Sequence, residues 1–187
     1  MKQRLPSCLI IFLCVISQAG FFKKISAQEF TTEGKEFWFG FMENTLGSPP
    51  DTLVVSMSSR FNATATVSIP LAGWSQSVTI PANTSVTVGI PRDLAMASGC
   101  GAILPRGCRI QANEKISAYA LNFQSYSADA TLLIPNNTLG DKYYLNTYRE
   151  NYSNSRQTQM LVVAAYPNTT IRIIPSVNTS CGNPAGV

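Results

Sequence analysis

Short runs in which apolar and polar residues alternate, each closed by a turn residue, constrain the fold of this chain more than any other feature. Four such runs follow one another in the first half of the chain, at residues 53–57, 67–69, 78–80 and 86–90. Proline, glycine or asparagine ends each run. A period of two residues is typical of a strand with one buried face, and closely spaced strands of this kind predict an antiparallel β-sandwich or a barrel.

The remainder of the mature chain continues the same pattern. We expect further strands at residues 110–111, 116–123, 130–134, 143–148, 161–165 and 170–174. Helical candidates are confined to residues 91–97 and the neighbourhood of Asp141, because glycine, proline and β-branched residues are too frequent elsewhere. The sequence therefore predicts an all-β fold, built as one or more antiparallel β-sandwich modules.

Residues 1–27 have the pattern of a secretory signal peptide. Lys2 and Arg4 precede an apolar run at 9–16, and small residues at 25–27 offer a cleavage point. The apolar run is too short for a transmembrane helix, which needs about 20 residues. We expect a mature protein that is secreted, extracellular or held at the cell surface, with no transmembrane segment in these residues.

Charge balance and the absence of one residue type exclude several functions. The chain has 14 Lys and Arg against 10 Asp and Glu, and the excess of four lies in the leader, at Lys2, Arg4, Lys23 and Lys24. The mature part is therefore neutral and lacks the basic face that nucleic acids require. The chain contains no histidine, which excludes Ser-His-Asp and Cys-His catalysis and imidazole metal ligands. We predict no catalytic residue, cofactor, metal or nucleic-acid partner.

Three cysteines lie beyond the leader, and their spacing suggests one disulfide. Cys100 and Cys108 bracket a short loop rich in glycine and proline, and an oxidising compartment favours a bridge between them. A ring of that size contributes on the order of 2–3 kcal/mol; two free thiols are the alternative. Cys181 then stays free or pairs with a residue beyond Val187, and we expect the latter.

Two stretches of the chain resemble each other and bear on domain organisation. Residues 53–70 and 161–175 each read as a hydrophobic strand, an Asn/Thr turn, a second hydrophobic strand and a proline. If both open related modules, residues 28–155 form one module and 156–187 begin a second, truncated one. A lone hairpin cannot bury its apolar face, so we expect this chain to be part of a longer one. Chance similarity between two hairpins is the alternative.

An aromatic segment at the start of the mature chain is the first candidate for chemistry. It contains four rings and three acids, namely Glu33, Glu36, Phe37, Trp38, Phe39, Phe41 and Glu43. We interpret it as a first strand that buries alternate rings in the core. A sugar-stacking platform or an acid/base pair is the less favoured reading, since a glycosidase needs two carboxylates about 5–10 Å apart.

Tyrosine is the second candidate, since seven tyrosines are spread over the second half of the chain. Tyrosine offers a large contact area at low entropic cost, which suits a recognition surface. It is also common in ordinary sheets, and the sequence leaves both interpretations open. Our candidate ligand-contact residues are Tyr126, Tyr148 and Tyr152.

Several segments, in a fixed order, carry a resemblance to a known family. They are residues 32–44 (TEGKEFWFGFMEN), 68–74, 115–122, 129–135, 139–144 and 162–165. Over these segments the chain resembles the IgGFc-binding protein N-terminal domain family. That family is named for a mucus protein that binds the Fc part of immunoglobulin G, and similar domains occur in secreted, adhesin-like bacterial proteins. No catalytic residue is associated with the motif.

The resemblance implies a function in binding. We expect a non-catalytic extracellular or cell-surface adhesion module that recognises a protein or glycan ligand such as a glycoprotein, mucin or immunoglobulin Fc. One alternative is a structural spacer in a large multidomain surface protein. Another is a carbohydrate-binding module of a carbohydrate-active enzyme.

Overall fold

The strands of this protein are short, apart from one that is long enough to serve two sheets. The computed structural model describes residues 31–44, 52–124, 127–146, 158–179, 181–182 and 185–186. The predicted signal peptide at 1–27 lies outside these residues. The described strands are β1 (Gly34–Phe39), β2 (Phe41–Met42), β3 (Thr52–Ser59), β4 (Ala63–Ile69), β5 (Trp74–Ile80), β6 (Thr84–Ile90), β7 (Met96–Ala97), β8 (Cys108–Gln124) and β9 (Ser127–Leu132). A one-turn helix, α1 (Arg92–Ala95), and 3-10 turns at Pro70–Ala72 and Asn136–Thr138 complete the described elements.

The long strand β8 organises the sheets. Its first half pairs with β1 and β4, and its second half pairs with β3 and β9. Strand β5 extends the sheet from β4, and β6 extends it from β3. We call the set β5-β4-β8-β1 sheet I and the set β6-β3-β8-β9 sheet II. All of these pairs are antiparallel, whereas β2 and β7 form a short parallel pair.

One hydrophobic core lies between the sheets, and the two-residue period explains it. Even-numbered residues of β8 are buried at both ends of the strand, from Cys108 and Ile110 to Ile116 and Ala118. On the facing strands the buried positions also alternate: Leu53, Val55 and Met57 on β3, and Ala63, Ala65, Val67 and Ile69 on β4. Alternation of this kind is expected of strands that each present one face to the core. The predicted all-β antiparallel fold is confirmed.

The aromatic segment at the start of the mature chain serves this core. Phe37, Phe39 and Phe41 are almost fully buried, while Trp38, between them, is half-buried. Phe39 and Phe41 meet edge to face, with ring centroids 5.6 Å apart. The interpretation of a first strand with alternate rings in the core is therefore confirmed.

Most of the predicted strands are present, with three differences. The runs at 53–57, 67–69, 78–80 and 86–90 lie in β3, β4, β5 and β6, and α1 lies within 91–97. The first difference is that the runs 110–111 and 116–123 belong to one continuous strand, β8, which pairs with β4 and most of β1 before residues 113–115 and with β3 after them.

The second difference concerns the C-terminal part, where residues 158–179 contain no strand, so the strands predicted at 161–165 and 170–174 are wrong in this structure. A β-branched, alternating sequence becomes a strand only where a partner pairs its backbone, because β propensity depends strongly on context.

The third difference concerns residues 143–146, which do not form the strand predicted at 143–148. Residues 147–148 lie outside the described part. Around Asp141 the chain bends and is not helical.

The disulfide connects other cysteines than those predicted. Cys100 bonds to Cys181, 81 residues away in sequence, with their Cα atoms 5.5 Å apart. Cys108 is a buried free thiol because it is an inward-facing residue at the start of β8, paired in register with Phe39. Its Sγ lies 3.8 Å from the carbonyl oxygen of Arg106. The predicted Cys100–Cys108 bridge, and a partner for Cys181 beyond Val187, were therefore wrong.

The predicted boundary between residues 155 and 156 does not coincide with a separation into compact units. Thr31–Val187 form one compact unit. The Cys100–Cys181 disulfide also ties the C-terminal residues to the loop that precedes β8. That residues 156–187 begin a second module stays a prediction.

Candidate functional site

The predicted ligand-contact tyrosines cannot be placed. Tyr126, Tyr148 and Tyr152 lie outside the described residues. Four other tyrosines are described and exposed, namely Tyr119, Tyr143, Tyr144 and Tyr166. Of these four, only Tyr119 belongs to a strand, and the surface around it is the candidate site.

Strand β8 presents its bulkier face to solvent on sheet II. Tyr119 and Phe123 are each 49% exposed, and Leu121 between them is half-buried. The opposite face of the same stretch, which enters the core, carries only Ala118, Ala120 and Asn122. We call the outward residues Tyr119, Leu121 and Phe123 the aromatic platform. A buried polar residue and a large exposed apolar surface are the two exceptions to ordinary burial that are informative, and an exposed apolar surface of this kind often marks a binding site.

The neighbours of the platform are small or apolar, so the rings stand above a flat surface. On β9, the lateral partners of Tyr119, Leu121 and Phe123 are Leu132, Ala130 and Ala128. On β3, they are Ser56, Val54 and Thr52. Because residues on one strand rise about 3.3 Å each, the two rings are spaced by about 13 Å along β8.

An open polar groove of about 550 Å³ continues the platform at the Tyr119 end. Eight residues line it, namely Glu33, Ser58, Ser59, Arg60, Asn83, Thr84, Ser85 and Ser117. Ser58 pairs with Ser85 on one side and with Ser117 on the other, so three hydroxyl side chains form a row across sheet II. This row lies two residues along the strands from Tyr119, on the same outer face.

The hydroxyl groups of the groove differ in how far they are already engaged. Ser59 Oγ donates to the carbonyl oxygen of Lys115 at 3.0 Å, and Thr84 Oγ1 donates to that of Pro81 at 2.8 Å. In the described part of the chain, the hydroxyls of Ser58, Ser85 and Ser117 make no hydrogen bond to another protein group. Each retains its donor and its acceptor capacity for a ligand.

An ion pair supplies charged groups to the same groove. Arg60 Nη2 donates to Glu33 Oε1 at 3.0 Å. The Arg60 side chain is 75% exposed, and that of Glu33 is 29% exposed. A guanidinium has five N–H donors, so most of those on Arg60 still face solvent. The groove therefore offers both cationic donors and carboxylate acceptors next to the free hydroxyls.

The outer face of sheet I also has an aromatic residue beside charges, but its groups already bind one another. Glu36 Oε1 accepts from Trp38 Nε1 at 3.2 Å and from Arg109 Nε at 2.9 Å, and it lies 2.7 Å from Arg109 Nη2. The Arg109 guanidinium lies over the Trp38 ring, 5.3 Å from its centroid. Since Glu36 pairs with Arg109 and Glu33 with Arg60, each of these two acids is engaged by its own arginine.

The C-terminal segment packs beside this cluster on sheet I. A Cβ atom at Gly40 would stand 2.6 Å from Leu161 Cδ2 and 3.1 Å from Val163 Cγ2. At Gly107 it would stand 3.4 Å from Val163 Cγ1 and 4.0 Å from Trp38. The two glycines thus admit Leu161 and Val163 close to the backbone, and the platform on sheet II has no such covering among these contacts.

Reactive groups are scarce in the described part. Burial raises the pKa of the Cys108 thiol from 9.0 to about 12, which keeps it protonated and poorly nucleophilic at neutral pH. Among the described residues there is no group of three or more Cys, Asp or Glu side chains placed to hold a metal ion. No described helix is long and apolar enough to cross a membrane.

Sequence reasoning did not single out the platform, although a signal was present. Residues 116–123 alternate between a small set (Ala118, Ala120) and a large set (Tyr119, Phe123). Size alone would assign the large set to the core, and only the pairing of β8 with β3 and β9 shows the reverse. The three residues of the groove row lie on three separate strands, so no local motif could reveal them.

Comparison with known proteins gives one family match. The model of a family described as IgGFc binding protein matches residues 129–187. Comparisons with curated proteins and with solved structures give no match. The matched range includes β9 from its third residue, the segment that packs on sheet I, and Cys181, and it runs across the predicted boundary at 155/156. The predicted family resemblance is confirmed there, since residues 129–187 of this chain are similar to the IgGFc binding protein family.

Proposed function

We propose that this protein is a non-catalytic extracellular binding module that contacts its ligand, a glycoprotein or mucin-like molecule, through the aromatic platform on sheet II. The match to the IgGFc binding protein family supports a role in binding. The long-range disulfide supports an oxidising, extracellular location. The buried, high-pKa thiol and the engaged acid Glu36 support a role without covalent or acid/base chemistry.

The observation that carries the proposal is the orientation of β8. This strand places Tyr119 and Phe123 in solvent while Ala118 and Ala120 occupy the core. Exposing rings costs the protein the stabilisation that burial would give, of the order of 1.5–3 kcal/mol for a large apolar side chain. An arrangement with that cost is explained when the rings are buried by a partner, and aromatic residues are typical of the centre of binding surfaces.

Binding measurements on platform variants test this proposal. The secreted chain would be tested against purified mucin, immunoglobulin G Fc and extracellular matrix glycoproteins, as wild type and as Tyr119→Ala and Phe123→Ala. We expect roughly tenfold or greater loss of affinity for at least one of these probes in each variant, as for a central interface residue. Tyr144→Ala, at a tyrosine that is 85% exposed and off the strands, is the matched control and should bind normally.

Two results would contradict the proposal. If the wild type binds a probe and both platform variants bind it equally well, the ligand contacts another surface. If the wild type binds no probe, the alternative of a structural spacer in a longer surface protein is favoured instead.

A further inference from the structure

We propose that the aromatic platform and the adjoining groove together form a binding site for an extended oligosaccharide, so that the glycan of a glycoprotein ligand makes the main contact. This inference rests on the proposed function and specifies the chemical class that the same surface recognises. It is carried by the combination of half-exposed rings, unengaged hydroxyls and an exposed ion pair on one face of sheet II.

The shape of the site is linear. Ser117, Tyr119, Leu121 and Phe123 are successive outward residues of one strand, and at about 3.3 Å per residue they extend over about 20 Å. The groove lies at the Ser117 end of this line and is open rather than enclosed. A long, shallow site of this kind suits a chain of several sugar units lying along β8 better than it suits a compact small molecule, which is usually enclosed on most sides.

The chemistry of the platform matches the apolar face of a sugar. A pyranose ring presents a patch of C–H groups on one or both faces, and these pack flat against an aromatic ring. On β9 the lateral partner of Phe123 is Ala128 and that of Tyr119 is Leu132, and both rings are 49% exposed, so part of each ring surface is accessible to a ligand. Two such rings about 13 Å apart would hold two separated units of one chain.

The chemistry of the groove matches the edge of a sugar, where the hydroxyl groups both donate and accept hydrogen bonds. Ser58, Ser85 and Ser117 supply three hydroxyls with unused capacity. Arg60 and Glu33 add a charged donor and a charged acceptor that already hold each other in position. Hydrogen bonds in which one partner is charged are the stronger kind, so this pair is placed to fix the end of the chain.

A protein partner fits the same surface less well. A stable protein interface covers about 800 Å² on each partner and surrounds its aromatic centre with a wide contact area. Here the apolar strip follows β8, and serine and threonine residues border it on β3 and β6, as in the pairs Ser56–Thr87 and Ser58–Ser85. On the β3 side the strip is bordered by the hydroxyl groups that a glycan requires, and on the β9 side it continues over Leu132, Ala130 and Ala128.

The test compares one glycoprotein with and without its glycans. The secreted chain would be titrated with intact mucin, with enzymatically deglycosylated mucin, and with the oligosaccharides released from that mucin. We expect deglycosylation to weaken binding by roughly tenfold or more, and the released oligosaccharides to compete with intact mucin. Tyr119→Ala and the double variant Ser58→Ala/Ser117→Ala should each weaken binding to the released oligosaccharides. Ser75→Ala, an exposed outward serine on sheet I, is the matched control and should have no effect.

The outcomes separate this inference from the proposed function. If deglycosylated mucin binds as well as intact mucin and Tyr119→Ala still weakens it, the platform contacts protein, and the oligosaccharide inference is overturned while the proposed function stands. If the released oligosaccharides bind but the serine variants bind them equally well, the groove has no part in the site. If wild-type protein binds neither form of mucin nor the oligosaccharides, the inference is overturned together with its mucin ligand.

Discussion

The outer faces of the two sheets carry similar types of residue, but they differ in whether those side chains already bind one another. On sheet I, Trp38 lies beside Glu36 and Arg109, and the three side chains bind one another. On sheet II, Tyr119 and Phe123 are exposed, and the hydroxyls of Ser58 and Ser117 near Tyr119 bind nothing in the described part of the chain. Both faces hold aromatic, charged and hydroxyl groups, but the ring on sheet I is engaged by a charged cluster, whereas the rings on sheet II are exposed.

The difference shows that residue type alone does not identify a binding surface. A cation–π contact at a partly exposed site contributes about 0.5–1 kcal/mol, and a partly exposed Arg–Glu pair adds a similar amount. Those contacts make the sheet I cluster part of the fold, beside the segment that carries Leu161 and Val163. The rings of the platform on sheet II are half exposed and make no such ion-pair or cation–π contact among the described residues, as the proposed binding surface requires.

The disulfide gives the largest expected effect, and it concerns the segment beside sheet I. Because the bridge closes a loop of 81 residues, loop entropy predicts a contribution of about 4–5 kcal/mol, and removal of a native disulfide commonly costs about 2–5 kcal/mol. The double variant Cys100→Ser/Cys181→Ser should therefore lower the free energy of unfolding, measured by urea denaturation, by about 2–5 kcal/mol.

The control for the disulfide variant is Cys108→Ala, which leaves the bridge intact. Hydrogen exchange should show faster exchange at residues 158–179 in the double variant, with β8 still protected. If the double variant were as stable as the wild type, the bridge between Cys100 and Cys181 would not form in solution.

Two glycines provide the next test, because one is closed in and the other open. A Cβ at Gly34 on β1 would overlap the ring of buried Pro135, whereas nothing lies within 4 Å of a Cβ at Gly89 on β6. Gly34→Ala should lower the free energy of unfolding by about 1–3 kcal/mol through overpacking. Gly89→Ala, the matched control in sheet II, should be neutral or slightly stabilising, since glycine weakens a strand interior. Equal effects of the two substitutions would contradict the packing of Pro135 on β1.

A pair of substitutions then tests the contrast between the two outer faces directly. Glu36→Gln removes the charge that Arg109 contacts and should lower the free energy of unfolding by about 1 kcal/mol. Tyr119→Phe keeps the exposed ring and should change it by less than about 0.5 kcal/mol. Thermal or urea denaturation measures both. A reversed order would mean that the sheet I cluster is not held together in solution.

The smallest effect at neutral pH comes from Cys108, between the sheets. Its folded-state pKa of about 12 lies above the ordinary value of 9.0, so the stabilising contribution is complete below about pH 9 and is lost as pH rises towards 12. The free energy of unfolding should therefore fall over that range, and Cys108→Ala should remove that part of the slope. Iodoacetamide should label Cys108 at pH 8 only after unfolding. Rapid labelling of the native protein would show that the thiol is not buried.

Much of the fold was predictable because it depends on local patterns. Alternation over residues 53–57 and 86–90 predicted strands β3 and β6. The alternate spacing of Phe37, Phe39 and Phe41 predicted that their three rings lie in the core. The candidate site was not predictable, since Ser58, Ser85 and Ser117 meet only through strand pairing. The predicted contact residues Tyr126, Tyr148 and Tyr152 remain untested because they lie outside the described residues.

The sequence by itself determined the class of fold and the strand positions in the first half, because alternation over a few residues decides where a strand forms. It also determined the absence of histidine chemistry, because the chain contains no histidine. Tertiary structure decided which face of β8 enters the core, which cysteine meets Cys100, and that residues 161–174 do not form a hairpin. These outcomes depend on neighbours that are distant in sequence. Strand β8 exposes Tyr119 and buries Ala118 because its pairing with β3 and β9 turns its even-numbered residues toward the core.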